Sequence, residues 1–368
     1  MIKYLYANNY KSFVNFKIEF DNISLLIGRN GGGKSNIFSL IASLRDLING
    51  DKLVLSVDFN DLSLTRWMKS RIQTFELGVR GKEHEFKYCV EIEHPEHAQI
   101  KVISEEVYFG DKILFQKKQD RTMVYSDSFI GAEVLSDQYS SGVAFVPQDS
   151  EHSLLNEFRS LIKSIIICTP NPKNMRDIVE NDVYGPQPDF SNIASACAGL
   201  MQLAPDTYVE LSEKFRSIHP GFDKARITVE QFAKYLTFDY RFNDVLTSFH
   251  FNELSDGEKM LFALYMLLLG YIKNDITVLL DEPDNYVSLR EIQPWCMELE
   301  DIVEEKGQCL LISHHPEIVD YLADTRGIWI GRLNSGETTI YDPGIRENPD
   351  LLTYSQMISR GLLDEVGW

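Results

Sequence analysis

Ser24-Leu25-Leu26-Ile27-Gly28-Arg29-Asn30-Gly31-Gly32-Gly33-Lys34-Ser35-Asn36 is the stretch that decides the fold. It joins a short apolar run to a glycine-rich loop of the form G-x-x-x-x-G-K-[ST], and then to a helical pattern from Asn36 to Ile48. Glycines at these spacings let backbone N–H groups turn inward as an anion nest, and the following helix adds its positive end. Arg29, Asn30, Gly31, Gly32 and Gly33 would form the cradle. Lys34 would reach the β- and γ-phosphates of a nucleotide, and the Ser35 hydroxyl would ligate Mg²⁺. Chance alone produces such a loop in a chain of this length on the order of 1% of the time. Its place between a strand and a helix lowers that further, so the loop is read as phosphate-binding.

Three later segments follow in order. Ile276 to Leu280 is a buried-strand run ending in Asp281-Glu282-Pro283. On a central strand beside the loop, Asp281 would hold the metal shell and Glu282 would polarise an attacking water; an acidic loop after a core strand is the plainer alternative. Leu254-Ser255-Asp256-Gly257-Glu258-Lys259 precedes an apolar helix, Met260 to Ile272. Ser255 and Glu258 have the spacing of a capping box. The same exposed N–H groups would also suit a γ-phosphate held by another subunit. In Leu310-Leu311-Ile312-Ser313-His314-His315-Pro316-Glu317, His314 falls just past an apolar strand, placed to sense the γ-phosphate, although paired loop histidines are usually surface residues.

The rest of the chain sets bounds. Its 368 residues suffice for one large domain or two. A net charge of −19 opposes strong intrinsic attraction to phosphate backbones, so nucleic acid would be engaged only with a partner. Five scattered cysteines without a C-x-x-C pair argue against a disulfide or zinc scaffold and fit a reducing cytoplasm. The polar N-terminus does not read as a signal peptide, and the apolar run Leu261–Ile272 is too short to span a bilayer, so no membrane is expected. From 52 to 146, period-two alternation (Phe75, Leu77, Val79; Phe86, Tyr88, Val90, Ile92) with turns at Gly81-Lys82 and Gly110-Asp111 reads as antiparallel hairpins. Residues 150 to 236 read as helices broken by six prolines, which excludes a long coiled coil. After 237 comes a short strand pair, then helices alternating with strands.

The ordered set GRNGGGKSN, LSDGEK, LLDEP and ISHHPE resembles the ABC-class ATPases, and within them the branch of the SMC, RecF and OLD-like proteins rather than transporter subunits. Asn36 after Gly-Lys-Ser, the opening Asn9-Tyr10-Lys11-Ser12-Phe13 and His-x-Pro-Glu are shared with that branch. The resemblance implies an α/β fold: an ABC-type P-loop NTPase head with an antiparallel β-lobe and a compact α-helical insertion. The corresponding spans are 1–149, 150–236 and 237–368. It further implies bound ATP and Mg²⁺, Lys11, Ser12 and Asn36 near the nucleotide, Ser255, Asp256, Gly257 and Glu258 on the nucleotide of a second copy, and a metal-contacting glutamine, for which Gln148 is the candidate against an ordinary loop residue. Two departures stand out. Asp284 to Leu289 lacks the S-A-L-D form, and Asp256 replaces the second glycine of L-S-G-G-Q.

In such a family the unit is a homodimer or a higher even oligomer. The stretch after His314 is short for an added nuclease domain, so a separate effector protein such as a nuclease is expected, as in stand-alone ATPases of bacterial antiviral systems of the Septu or PARIS type. A RecF-like DNA-repair ATPase is the alternative, and a transporter subunit a distant third.

Overall fold

Three short apolar runs form the centre of the sheet that carries the site. The structure, a computed structural model, describes residues 1–51, 59–118, 121–180, 185–343 and 352–360; the opening of the alternating region (52–58) and the last residues of the C-terminal span therefore lie outside it. β3 (Ile23–Ile27), β14 (Thr277–Asp281) and β15 (Gln308–Ile312) are buried almost throughout. Parallel strands covered on both faces need such continuous apolar sequence. With β10 (Ile166–Cys168), β16 (Gly327–Arg332) and β17 (Thr338–Ile340) they form a six-stranded sheet of order β10-β14-β15-β3-β16-β17, parallel except for the edge strand β17.

Alternate residues of β3 serve different layers. Leu26 packs with α1 (Lys34–Asn49) and the lobe sheet, whereas Leu25 and Ile27 join the helical core. The lobe is an eight-stranded antiparallel sheet of order β2-β1-β4-β5-β6-β7-β8-β9. Its strands are β1 (Ile2–Asn8), β2 (Phe16–Glu19), β4 (Ile72–Arg80), β5 (Glu85–Glu93), β6 (Lys101–Phe109), β7 (Lys112–Lys118), β8 (Arg121–Tyr125) and β9 (Gly131–Val134). The turns at Gly81 and Gly110 fall between the strands as their alternation requires. Buried Gln308 ties the two sheets together: its side chain bonds both Ile2 N (2.7 Å) and Ile2 O (2.7 Å), as well as Thr277 Oγ1 and Asp21 O.

The helical layer comprises α3 (Ile193–Leu203), α4 (Pro205–Ile218), α5 (Asp256–Gly270), α6 (Leu289–Glu305) and α7 (Pro316–Arg326). α2 (Ser153–Lys163) packs on α1 under the lobe, and α8 (Tyr354–Ser359) on α7. Every residue of α5 from Lys259 to Leu269 is buried, which makes it a core helix.

The span 150–236 is not purely helical. β10 enters the main sheet from it, and β11 (Phe222–Glu230) and β12 (Ala233–Phe242) pair with β13 (Val245–His250) as a third sheet. A boundary at 236/237 thus cuts through β12. The period-two signal of β11 is weak because the register shifts between Phe222 and Lys224, and only Phe222 and Ala225 reach the core.

Candidate active site

Three adjacent strands, β14, β15 and β3, end at one edge of the main sheet, with Asp281, Ile312 and Leu26 in register. Whatever follows these strands is delivered to a single place. The Gly28–Ser35 loop follows β3, Glu282 follows β14, and Ser313-His314 follows β15. The resulting cleft has a volume of about 470 Å³, and its lining includes Asn30, Lys34, Ser35, Glu282, His314 and Arg332.

The loop is braced from beneath. A Cβ on Gly28 would sit 2.0 Å from Ile330 O, and one on Gly33 (φ +114°) would sit 2.7 Å from Thr338 Oγ1. Both are therefore glycines for lack of space, and Gly33 also for its left-handed backbone. Thr338 Oγ1 donates to Gly32 O at 3.0 Å and lies 2.8 Å from Ser12 Oγ, while Thr338 N donates to Ser12 O. Ser12 is buried, so its hydroxyl supports the loop from behind rather than lining the cleft. Lys11 Nζ donates to Asn36 Oδ1 at 3.0 Å at the start of α1. Arg29 and Gly31 are exposed at the loop's tip.

The charged groups of the cleft interlock. Lys34 Nζ curls back to donate to the carbonyls of Gly28 and Arg29 (3.0 Å for the latter). Burial holds its ammonium below the ordinary lysine range, against the pull of Asp281 and Glu282. Burial likewise pushes the Asp281 carboxyl up; the Ser35 hydroxyl bonded to it and the charge of Lys34 oppose this, while Glu282 adds to it. A half-buried carboxyl beside a hydroxyl is a hard-oxygen pair that suits a small divalent ion such as Mg²⁺.

Glu282 adopts a left-handed backbone (φ +49°), and its N–H donates to Ile312 O at 2.8 Å. Its carboxylate accepts from Asn285 Nδ2 at 3.0 Å. A non-glycine residue in that region costs on the order of 1–3 kcal/mol, and such strain clusters where a side chain must be aimed. The two histidines separate cleanly. His315 caps α7, its Nδ1 accepting from Glu317 N at 3.3 Å. His314 lines the cleft, and burial, then the charge of Lys34, holds its imidazole below the ordinary range while Glu282 opposes.

Ser255 to Glu258 lie elsewhere. Ser255 caps α5 in a complete capping box: Glu258 N donates to its Oγ, and Glu258 Oε2 accepts from Ser255 N and Oγ. Ser255 is exposed, and none of Ser255, Asp256, Gly257 or Glu258 lines the loop cleft. Gly257 abuts Tyr286 O, so this helix end packs on the segment after Glu282. Gln148 is exposed on the loop before α2 and does not line the cleft either. Sequence reasoning missed Thr338, Asn285 and Arg332. Asn285 sits three residues past Glu282, a legible spacing; Thr338 and Arg332 carry no local signal.

Loop, acidic strand end and histidine at one sheet edge define a P-loop ATPase, and the fold is similar to that of SMC head domains. Residues 23–320 match the family described as "AAA domain, putative AbiEii toxin, Type IV TA system", and the chain belongs to that family. Among solved structures, the fold is similar to an SMC head bound to the C-winged helix domain of ScpA, with a TM-score of 0.53 at 14% identity, covering 92% of this chain and 97% of that one. It is also similar to an Smc head domain with an extended coiled coil bound to the C-terminal domain of ScpA from Pyrococcus furiosus, with a TM-score of 0.52 at 12% identity, covering 92% and 95%. At these identities the likeness speaks of fold alone. No curated protein matches the sequence. Among the described residues, no helix is long and apolar enough to cross a membrane.

Proposed function

We propose that this ATPase is a nucleotide-driven switch in which two copies close head to tail over ATP, and that its state controls a separate effector, a nuclease, in bacterial antiviral defence. The carrying observation is the split of the site. The loop cleft is lined by Lys34, Ser35, Glu282 and His314, with Asp281 bonded to Ser35 beside it, whereas the start of α5, from exposed Ser255 to half-buried Glu258, stands outside it. A helix N-terminus with free N–H groups suits a γ-phosphate, and a second copy would bring one to the open side of the cleft.

In this reading the loop N–H groups and Lys34 bind the β- and γ-phosphates. Ser35 and Asp281 hold Mg²⁺, which when bound neutralises charge on the phosphate oxygens. Glu282, steered by Asn285, takes the proton of the attacking water. Neutral His314 contacts the terminal phosphate, and the partner subunit's Ser255 closes the site. Loss of the γ-phosphate removes the contacts that hold the copies together, which makes ATP the control input.

The family's description, which names a putative toxin of a toxin–antitoxin system, supports a defence role. The ScpA-bound SMC heads are a precedent for a head of this fold engaging another protein. A net charge of −19 suits a protein partner with a basic groove. The test is co-expression of tagged Glu282→Gln protein with the products of the genes adjacent to its own, any nuclease among them being the expected effector. Retention of the nuclease in one nucleotide state and its release in the other is expected; no retention in any state overturns the effector role. Salt-sensitive DNA binding by the chain alone would point to the RecF-like alternative instead.

A further inference from the structure

Arg332 ends β16, paired with Thr338 across the hairpin that β16 makes with β17. This hairpin is the brace of the phosphate loop: Ile330 O touches Gly28 and Gly32, and the Thr338 hydroxyl bonds Gly32 O. The guanidinium is thus anchored to the same support as the loop and lines the cleft together with Asn30, Glu282 and His314. Its Nε is buried and has no hydrogen-bond partner among the described residues. A buried guanidinium N–H without an acceptor is costly, and such groups are retained where a ligand supplies the acceptor. A guanidinium pairs most strongly with a forked anion, and a phosphate offers such an oxygen pair.

The position selects which phosphate. In the reading proposed above, the loop N–H groups and Lys34 take the β- and γ-phosphates, and the wall of Glu282 and His314 faces the γ-phosphate. Arg332 shares the cleft with that wall, and Glu282 does not pair with it although the two line the same space. We infer that Arg332 is a γ-phosphate ligand, a cationic contact that distinguishes the triphosphate from the diphosphate within one chain. The inference rests on the placement of the terminal phosphate between Glu282 and His314.

The experiment measures affinities of the full chain for Mg²⁺ with a non-hydrolysable ATP analogue and for Mg²⁺ with ADP, by titration calorimetry. Wild type, Arg332→Ala, Arg332→Gln and Lys34→Ala are compared. Arg332→Ala is expected to weaken the analogue by about tenfold or more while ADP changes less than about twofold, the worth of one charge-assisted contact. Arg332→Gln keeps the stem's bulk and is read in the same way where the alanine variant is poorly folded. Equal losses for both nucleotides, or no loss for either, overturn the assignment. Lys34→Ala separates the two levels: if it too leaves both affinities unchanged, the loop is not the nucleotide site and the broader reading fails with it. If Lys34→Ala abolishes binding and the Arg332 variants do not discriminate, the Arg332 assignment alone fails.

Discussion

At the scale of single residues, the site keeps its charges in tension. The Lys34 ammonium donates to two loop carbonyls, and burial depresses it. Removing it in Lys34→Ala is expected to lower steady-state ATP hydrolysis by about 10²-fold or more; turnover within a few-fold of wild type in a phosphate-release assay would contradict the assignment. His314 sets a pH dependence. Its imidazole is held below the ordinary 6.5, so the unfolded chain binds a proton more readily than the folded one. This histidine's contribution is therefore fully present above pH 6.5 and is lost as pH falls through the window beneath it. His314→Gln is expected to lose less stability than wild type between about pH 7.5 and pH 5.5, read as the shift in urea midpoint. Because His314 is partly solvated, the difference will be modest. His315, one position on, is a helix cap; the two are told apart by position, His314 following the strand end and His315 preceding Pro316 at the start of α7.

At the scale of elements, the site exists because three parallel strands stop together and a hairpin supports the loop that follows one of them. Gln308 sets how the lobe meets that sheet, since it satisfies both backbone groups of Ile2 across the junction. Gln308→Leu leaves buried groups of Ile2 and Thr277 without partners, and about 2–4 kcal/mol of stability should be lost in chemical denaturation. A loss under about 0.5 kcal/mol would show that the junction is held by packing alone. The Ser255 cap is an element-scale feature too. Ser255→Ala is expected to cost about 1 kcal/mol through the lost capping box. A much larger fall in ATPase rate than in thermal midpoint would mark a role beyond capping.

At the scale of the whole molecule, the split between cleft and α5 start makes a prediction that no single-site enzyme shares. A Lys34→Ala chain keeps its α5 start, and a Ser255→Arg chain keeps its loop. Mixed together, each pair brings one intact loop against one intact helix start, so activity absent from either variant alone should reappear. A mixture as inactive as its parents would sink the composite site. Glu282→Gln should bind ATP, turn it over hardly at all, and accumulate as the closed dimer in light scattering; undiminished turnover would refute the general-base role.

Much of this was written locally. A strand, a Gly-Lys-Ser loop and a helix are contiguous in the chain, so the phosphate cradle is a property of neighbouring residues, and continuous apolar runs announced β3, β14 and β15 because strands buried on both faces admit little else. The spacing of Ser255 and Glu258 foretold a cap for the same local reason. What the sequence did not contain was everything that arises from chain segments meeting at a distance. Ser12 became a support rather than a cleft residue because Thr338, remote in sequence, folds against it. β11 and the first residues of β12 are strands where helix was expected, because a register shift blurs the alternation of β11 and only its cross-strand partners decide the matter. Arg332 enters the cleft only because β16 adds beside β3. Local sequence determines what a segment is; the order of strands in the sheet decides what it stands next to, and the chemistry of this site depends on the second.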